Sequence, residues 1–235
     1  MSTTSLPPLP TEDAVSTQLH RKLRDRIITC DLAPGQRISG AEIASSYGLS
    51  RQPVREAFIK LAEENLVSVR PQRGTFIKRI SVSAALAARF IRESVEADLV
   101  RRVAEVVTPS MITLLTSQIE QQQKTAAASD SAEFMRLDDV FHKTLASCAQ
   151  APDVFVCLEG LNLPMNRTRH ISAREFSPTK LVSQHAAIVE AINNSDPNSA
   201  EQAMRTHLRE IIKDLPQVIA TYPDYFEHVE ALEEI

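Results

Sequence analysis

The sequence predicts a mainly α-helical chain in two parts: a helical unit bearing one small β-hairpin, then an antiparallel bundle of about six helices. Three observations predict it. Apolar residues recur at helical spacing over most of the 235 residues, and the period drops to two only around 66–78. Beyond residue 81, a capping side chain precedes a proline at Thr108-Pro109, Ser177-Pro178 and Asp196-Pro197, marking repeated helix starts. Charge is also divided: residues 1–80 hold 12 Lys and Arg against 8 Asp and Glu, whereas residues 81–235 hold 14 against 22.

In chain order, residues 15–30 place Val15, Leu19, Leu23, Ile27 and Ile28 on one helical face, and Pro34-Gly35 turns the chain. Ile38 lies in a short extended piece. Ser39-Gly40 opens a second helix that stops at Tyr47-Gly48. Ser50 is an N-cap candidate for a third helix, Arg51 to Asn65, with Val54, Ala57, Phe58, Leu61 and Ala62 on its apolar face. Residues 66–70 alternate as a strand, Pro71-Gln72-Arg73-Gly74 is a turn, and 75–78 return. Two helices joined by a tight Gly-containing turn and followed by a hairpin make a winged helix-turn-helix, whose second helix enters the major groove of duplex DNA.

The net charge of −4 alone does not suggest nucleic acid, but seven basic residues against three acidic ones fall in 51–79. A local basic patch is what phosphate contacts require. On the third helix Arg51 and Arg55 share a face, and either can grip a guanine edge or a phosphate. Gln52 suits adenine, and Ser50 at the helix N-terminus suits a phosphate. Arg73 and Gly74 at the wing tip suit the minor groove.

The run Glu42-Ile43-Ala44, Tyr47 to Ala57 and Arg70 to Phe76 resembles the GntR family of bacterial regulators, above all in Ser50-Arg51-Gln52-Pro53-Val54-Arg55-Glu56-Ala57. The resemblance implies a DNA-binding transcription regulator, with repression the expected sense. Many members carry a basic DNA-contacting residue where this chain has Ala41, so one contact is expected to be missing.

In the second part, helices are expected near 82–107, 109–127, 131–149, 152–171, 178–194 and 197–220, with no strand. Asp138 and His142 are one turn apart, at the edge of the stripe Phe134, Leu137, Phe141, Leu145. His185 and His207 lie on apolar stripes, ten residues before Ser195 and ten after Pro197, so both stand about 15 Å from the same turn and should face each other. Three imidazoles and a carboxylate suit a divalent metal, zinc first, with nickel, manganese or iron(II) as alternatives. The plain alternative is core histidines satisfied by neighbours.

The segments Asp138-x-x-x-His142, Gln184-His185-x-x-Ile188 and Met204-x-x-His207-Leu208 resemble the all-helical FCD effector domain of the FadR subfamily. The resemblance covers about residues 14–228 and implies a metal on Asp138, His142, His185 and His207. It also implies a small carboxylate effector held by arginines at positions matching Arg92, Arg167 and Arg169, with His170 nearby, and a homodimer reading a palindromic operator.

The expected organisation is a flexible tail (1–13), a winged helix-turn-helix domain (14–80), an effector-binding and dimerisation domain (81–228) and a short tail (229–235). No stretch approaches the roughly 18 apolar residues of a membrane span, and three cysteines without metal-ligand spacing fit a reducing cytoplasm. Two other readings stay open at this point. One is a metal-dependent enzyme, opposed by the absence of a nucleophile elbow, HExxH or phosphate loop. The other is a DNA-binding dimer that senses neither metal nor ligand.

Overall fold

The computed structural model describes residues 12–233, which divide into two compact units at Arg79/Ile80. The expected N-terminal tail lies outside the described residues up to position 11, and helix α1 begins at Glu12.

The first unit runs α1 (Glu12–Ile28), β1 (Arg37–Ile38), α2 (Gly40–Tyr47), α3 (Arg51–Glu63), β2 (Val67–Arg70) and β3 (Gly74–Ile77). Leu19, Leu23 and Ile27 of α1 are buried with Val54, Ala57 and Leu61 of α3, and the two helices pack together. The Ser39 hydroxyl caps α2 by accepting the Glu42 N–H. Gly48, at φ 63°, closes that helix and donates its N–H to the Ala44 and Ser45 carbonyls. Helix α3 starts differently. Ser50 stands at the cap position, yet its hydroxyl receives no capping bond. Pro53 occupies the third helical position, whose N–H such a hydroxyl would accept, and proline has none to give.

The wing is the expected antiparallel hairpin, with Val67 opposite Ile77 and Arg70 opposite Gly74. The extended piece at Ile38 adds a third strand, pairing Arg37 with Phe76 and Ile38 with Thr75 in the order β1-β3-β2.

The second unit is built on the 24-residue helix α4 (Val82–Glu105), against which later helices pack. It continues with α5 (Pro109–Ala127), α6 (Ser131–Cys148), α7 (Val154–Leu158), α8 (Leu163–Glu175), α9 (Thr179–Asn193), α10 (Pro197–Leu208) and α11 (Glu210–Thr221). Phe134, Phe141, Leu145, Ile188, Ile192 and Met204 form much of its core. The caps Thr108 and Asp196 accept backbone N–H groups of the helices they precede, each with proline at the first helical position.

Two of the six expected helices are broken. The span 152–171 divides into α7 and α8, because Pro164 lacks an N–H and fits only the first turn of a helix, so a new helix starts there. The span 197–220 is interrupted at Arg209. Residues 205–212 contain no glycine or proline, so that break leaves no mark in the sequence. The expectation of no strand beyond 81 also needs correction. β4 (Ile80–Ser81) pairs in parallel with β5 (Phe226–Glu227), joining the start of this unit to its end through the buried Phe226. Val229–Leu232, expected within a tail, is a turn of 3-10 helix against α4. Among the described residues, no helix is long and apolar enough to cross a membrane.

Candidate functional site

Helix α6 supplies Asp138 and His142, α9 supplies His185 and α10 supplies His207. All four are buried, and one ligand atom from each lies within 4.8 Å of all the others. The Nε2 atom of His207 stands 3.2 Å from that of His185 and 3.2 Å from that of His142. Asp138 Oδ1 is 3.4 Å from His185 Nε2, and its Oδ2 is 3.7 Å from His142 Nε2. The expected facing of His185 and His207 is present. Asp138 and His142, read as lying on a stripe edge, are instead wholly enclosed, because α4, α5 and α8 all pack on α6.

The outer nitrogens decide what this cluster can do. His185 Nδ1 lies 2.7 Å from Gln122 Oε1, while Gln122 Nε2 donates to the Leu137 carbonyl, which orients the amide. His207 Nδ1 lies 3.2 Å from Gln184 Oε1, and Gln184 Nε2 donates to Glu210. The Glu96 carboxylate sits against His142 Nδ1. The two glutamine oxygens only accept from these rings, so Nδ1 of His185 and of His207 carries the hydrogen, and each neutral ring then presents a lone pair at Nε2. The facing lone pairs of His185 and His207, 3.2 Å apart, cannot hydrogen-bond to one another; with His142 Nε2 also 3.2 Å from His207 Nε2, the cluster fits a cation between its nitrogens.

Electrostatics agree. Burial pushes the His185 pKa down to about 3, with Asp138 partly opposing. Burial, then repulsion from His185 and His142, holds that of His207 well below the usual range. Burial alone would raise Asp138, but Arg169 and the histidines outweigh it and keep the carboxyl far below its ordinary range. Neutral imidazoles and an ionised carboxylate are the ligating forms.

Beside the cluster opens a cavity of about 290 Å³, bordered by Asp138 and His207. Arg92 and Arg169 reach it, with Met135, Met165, Phe176 and Leu181 as apolar wall and Ser172, Lys180, Glu210 and Asp214 as polar wall. Arg92 is 3% exposed and gives its Nε to Glu96. Arg169 pairs with Asp138 and, at 3.1 Å, with Asp139. Arg167, expected beside them, is buried but does not line this cavity. The reason is helical geometry: Met165, Arg169, Ser172 and Phe176 share one face, and a residue two positions from Arg169 points about 200° away.

In the first unit, Ser50, Arg51, Gln52 and Arg55 are all exposed on the first turns of α3. Arg51 and Arg55 border one groove with Ala41 and the wing residues Val69 and Thr75. Gln52 donates to Glu56 at 2.8 Å, so its amide must release that bond to read a base. Arg73 is exposed in the hairpin turn. Gly74 is not at the tip but opens β3, at φ 104°, with the Arg37 Nε 2.8 Å from where a Cβ would stand. The wing therefore needs this glycine for its own geometry.

Residues 8–77 match the family model of bacterial regulatory proteins, gntR family, and residues 88–210 match that of the FCD domain. The chain belongs to the GntR family of transcription regulators. The HTH-type transcriptional repressor RspR of Escherichia coli strain K12 is 36% identical over 213 residues, 90% of this chain and 93% of that one. The HTH-type transcriptional repressor NanR of Salmonella arizonae is 29% identical over 220 residues, covering 84% and 82%. The structure of E. coli McbR/YncC shares the fold, with a TM-score of 0.71 over 88% of this chain and 98% of that one, at 19% identity.

Sequence reasoning missed the groups that orient this GntR regulator's histidines: Glu96, Gln122 and Gln184. Gln122 left a readable signal. It follows Leu115 and Ile119 on the buried face of α5, where a polar side chain requires a partner. Asp214 and Lys180, on the cavity wall, left none.

Proposed function

We propose that Asp138, His142, His185 and His207 hold a divalent metal, zinc first, and that a small carboxylate effector in the adjacent cavity changes operator affinity. The observation that carries this reading is the convergence of three Nε2 atoms and the Asp138 carboxylate beside a cavity that Arg92 and Arg169 reach. A bound metal supplies a Lewis-acidic point for a carboxylate oxygen. Arg92, with donors beyond the Nε given to Glu96, and Arg169 orient the rest of the carboxylate. Met135, Met165 and Phe176 exclude water from it. The volume, at the lower end of ligand pockets at roughly 300 Å³, limits the effector to a small acid.

On the DNA side, Ser50, Arg51, Gln52 and Arg55 read and position the major groove, and Arg73 with Gly74 brings the wing to the duplex. Two copies read a palindrome, and effector binding shifts the pair between DNA-competent and incompetent arrangements. The names of RspR and NanR, both repressors, favour repression as the sense of control.

The test is metal analysis of the purified chain, followed by operator titration of metal-loaded protein with and without small carboxylic acids. Binding of an acid with a changed operator affinity is expected. Absence of metal after reconstitution, or operator affinity unchanged at saturating acid, overturns the reading.

A further inference from the structure

We propose that Arg89, Arg205 and Arg209, gathered round Glu93 where α10 packs on α4, form a second ligand site that takes a dianionic oxyanion of the phosphate type. The site is separate from the metal cluster, and none of these four residues lines the cavity beside it. Arg205 stands two residues from His207, about 200° round α10, and so faces away from the cluster.

Three guanidinium groups share one carboxylate. Arg205 reaches Glu93 Oε1 at 3.1 Å. Arg209 donates its Nε to both oxygens, at 3.0 and 3.1 Å, and its Nη2 to Oε1 at 2.6 Å. Arg89, one turn earlier on α4, pairs with Oε2. A carboxylate offers about four acceptor sites, so Glu93 is saturated. Glu201 extends the network, accepting from Arg205 at 2.9 Å and from Arg101 at 2.8 Å.

The network is not balanced. Four arginines meet two carboxylates, which leaves an excess of two positive charges. The Arg89 Nε is buried and meets no acceptor among the described residues, and a buried donor is costly to leave unpaired. Arg205 and Arg209 keep further N–H groups beyond those given to Glu93 and Glu201. Hydrogen bonds and charge from Glu93 hold the Arg209 pKa above its usual value, against burial and repulsion from Arg205.

The side chains of Arg209, Arg205 and Arg89 are 56%, 31% and 13% exposed, so the seat is open at Arg209 and closed at Arg89. Guanidinium forks match pairs of phosphate oxygens, and arginine clusters are a recurring means of holding such groups. A dianion cancels the excess charge, whereas a monocarboxylate cancels half of it. Because Arg89 lies on α4 and Arg205 on α10, a bound anion ties the two helices together.

The experiment is calorimetric titration of the full chain, in phosphate-free buffer, with inorganic phosphate, methyl phosphate and acetate in turn. Sodium chloride holds the ionic strength constant. The better of the two phosphates should bind about fivefold tighter than acetate or more, and which one it is tells the free ion from an ester. Arg209→Ala, at the most exposed of the three arginines, should weaken phosphate about fivefold or more. Glu93→Gln should act in the opposite sense and tighten phosphate, because the arginines then have one counter-charge fewer. Phosphate should also return part of the urea midpoint that this variant loses in chloride. These opposite signs separate the seat from an anion held at the metal cluster or at the head of α3. Phosphate binding no tighter than acetate overturns the proposal, as does a Kd that Arg209→Ala leaves unchanged or Glu93→Gln raises. If Glu93→Gln does not fold in chloride, Arg205→Ala takes its place, and an unchanged phosphate Kd there counts equally against the site.

Discussion

The Nε2 atoms of His185 and His207 lie 3.2 Å apart, while the outer nitrogen of each ring is held by a glutamine carbonyl. Two lone pairs at that separation repel unless something positive stands beside them. Metal should therefore stabilise the helical unit. Metal at about 100 times its Kd adds about 2.7 kcal/mol, and a unit of this size shifts by about 2–4 °C per kcal/mol, so chelation should lower the melting temperature by roughly 5–10 °C. His185→Ala should remove the response to chelator. Identical melting with and without chelator in the parent protein would count against the centre.

Gln122 offers a sharper test, because it touches His185 but contributes no ligand atom. Gln122→Leu keeps much of the volume and removes the acceptor for Nδ1. Metal affinity should fall by about 10–100-fold, the usual effect of losing a partner that orients a ligand. Competition titration with a chromogenic chelator measures it, and unchanged affinity would mean that the glutamine does not set the tautomer.

Glu93 gives a pH dependence away from that centre. Burial would raise its pKa, but hydrogen bonds from Arg209, Arg205 and Arg89 prevail and bring it to about 2, from an ordinary 4.5. The folded state therefore holds its proton more weakly than the unfolded chain does. The stabilisation is complete above pH 4.5 and is lost as pH falls from there toward 2. Glu93→Gln should lower the urea midpoint of the helical unit at pH 7, and the gap to the parent should narrow at pH 3. A gap that stays constant with pH would show that the carboxylate charge contributes nothing.

What the sequence disclosed follows from how local each cause is. Ser39, Gly48 and Thr108 act on the turns beside them, so α2 and α5 could be placed to the residue. His185 and His207 could be paired because one short turn sets their level. Other features depend on contacts distant in sequence. Gln122 meets His185 across 63 positions, and Ile80 pairs with Phe226. No short-range pattern encodes such a meeting. Arg167 lies off the cavity for a simpler reason: the resemblance gave an Arg-x-Arg segment, and residues two apart on one helix point about 200° apart.

Gly74 tests the wing. Its φ of 104° disfavours any side chain, and a Cβ would stand 2.8 Å from Arg37 Nε. Gly74→Ala should destabilise the first unit by about 1–3 kcal/mol, the cost of one strained backbone position. Arg37→Ala in that background removes the contact but not the backbone cost, so only part of the loss should return. Full recovery in the double variant, read by urea unfolding, would place the whole effect in the arginine.

Ser50 separates stability from recognition more cleanly than the arginines do. A serine that caps a helix costs about 1 kcal/mol when changed to alanine. Ser50 makes no capping bond, and Pro53 removes one of the two N–H groups that such a hydroxyl could accept. Ser50→Ala should thus change the unfolding midpoint very little. If its hydroxyl instead meets a phosphate at the head of α3, operator affinity should fall several-fold, about equally across sequence variants of the site. Arg55→Ala should differ in kind, costing about 1–3 kcal/mol and relaxing the preference at one base position if it grips a guanine. Anisotropy titrations on the selected operator and its point variants distinguish these outcomes. A Ser50→Ala protein that loses stability but keeps its affinity would return the residue to the role of a cap.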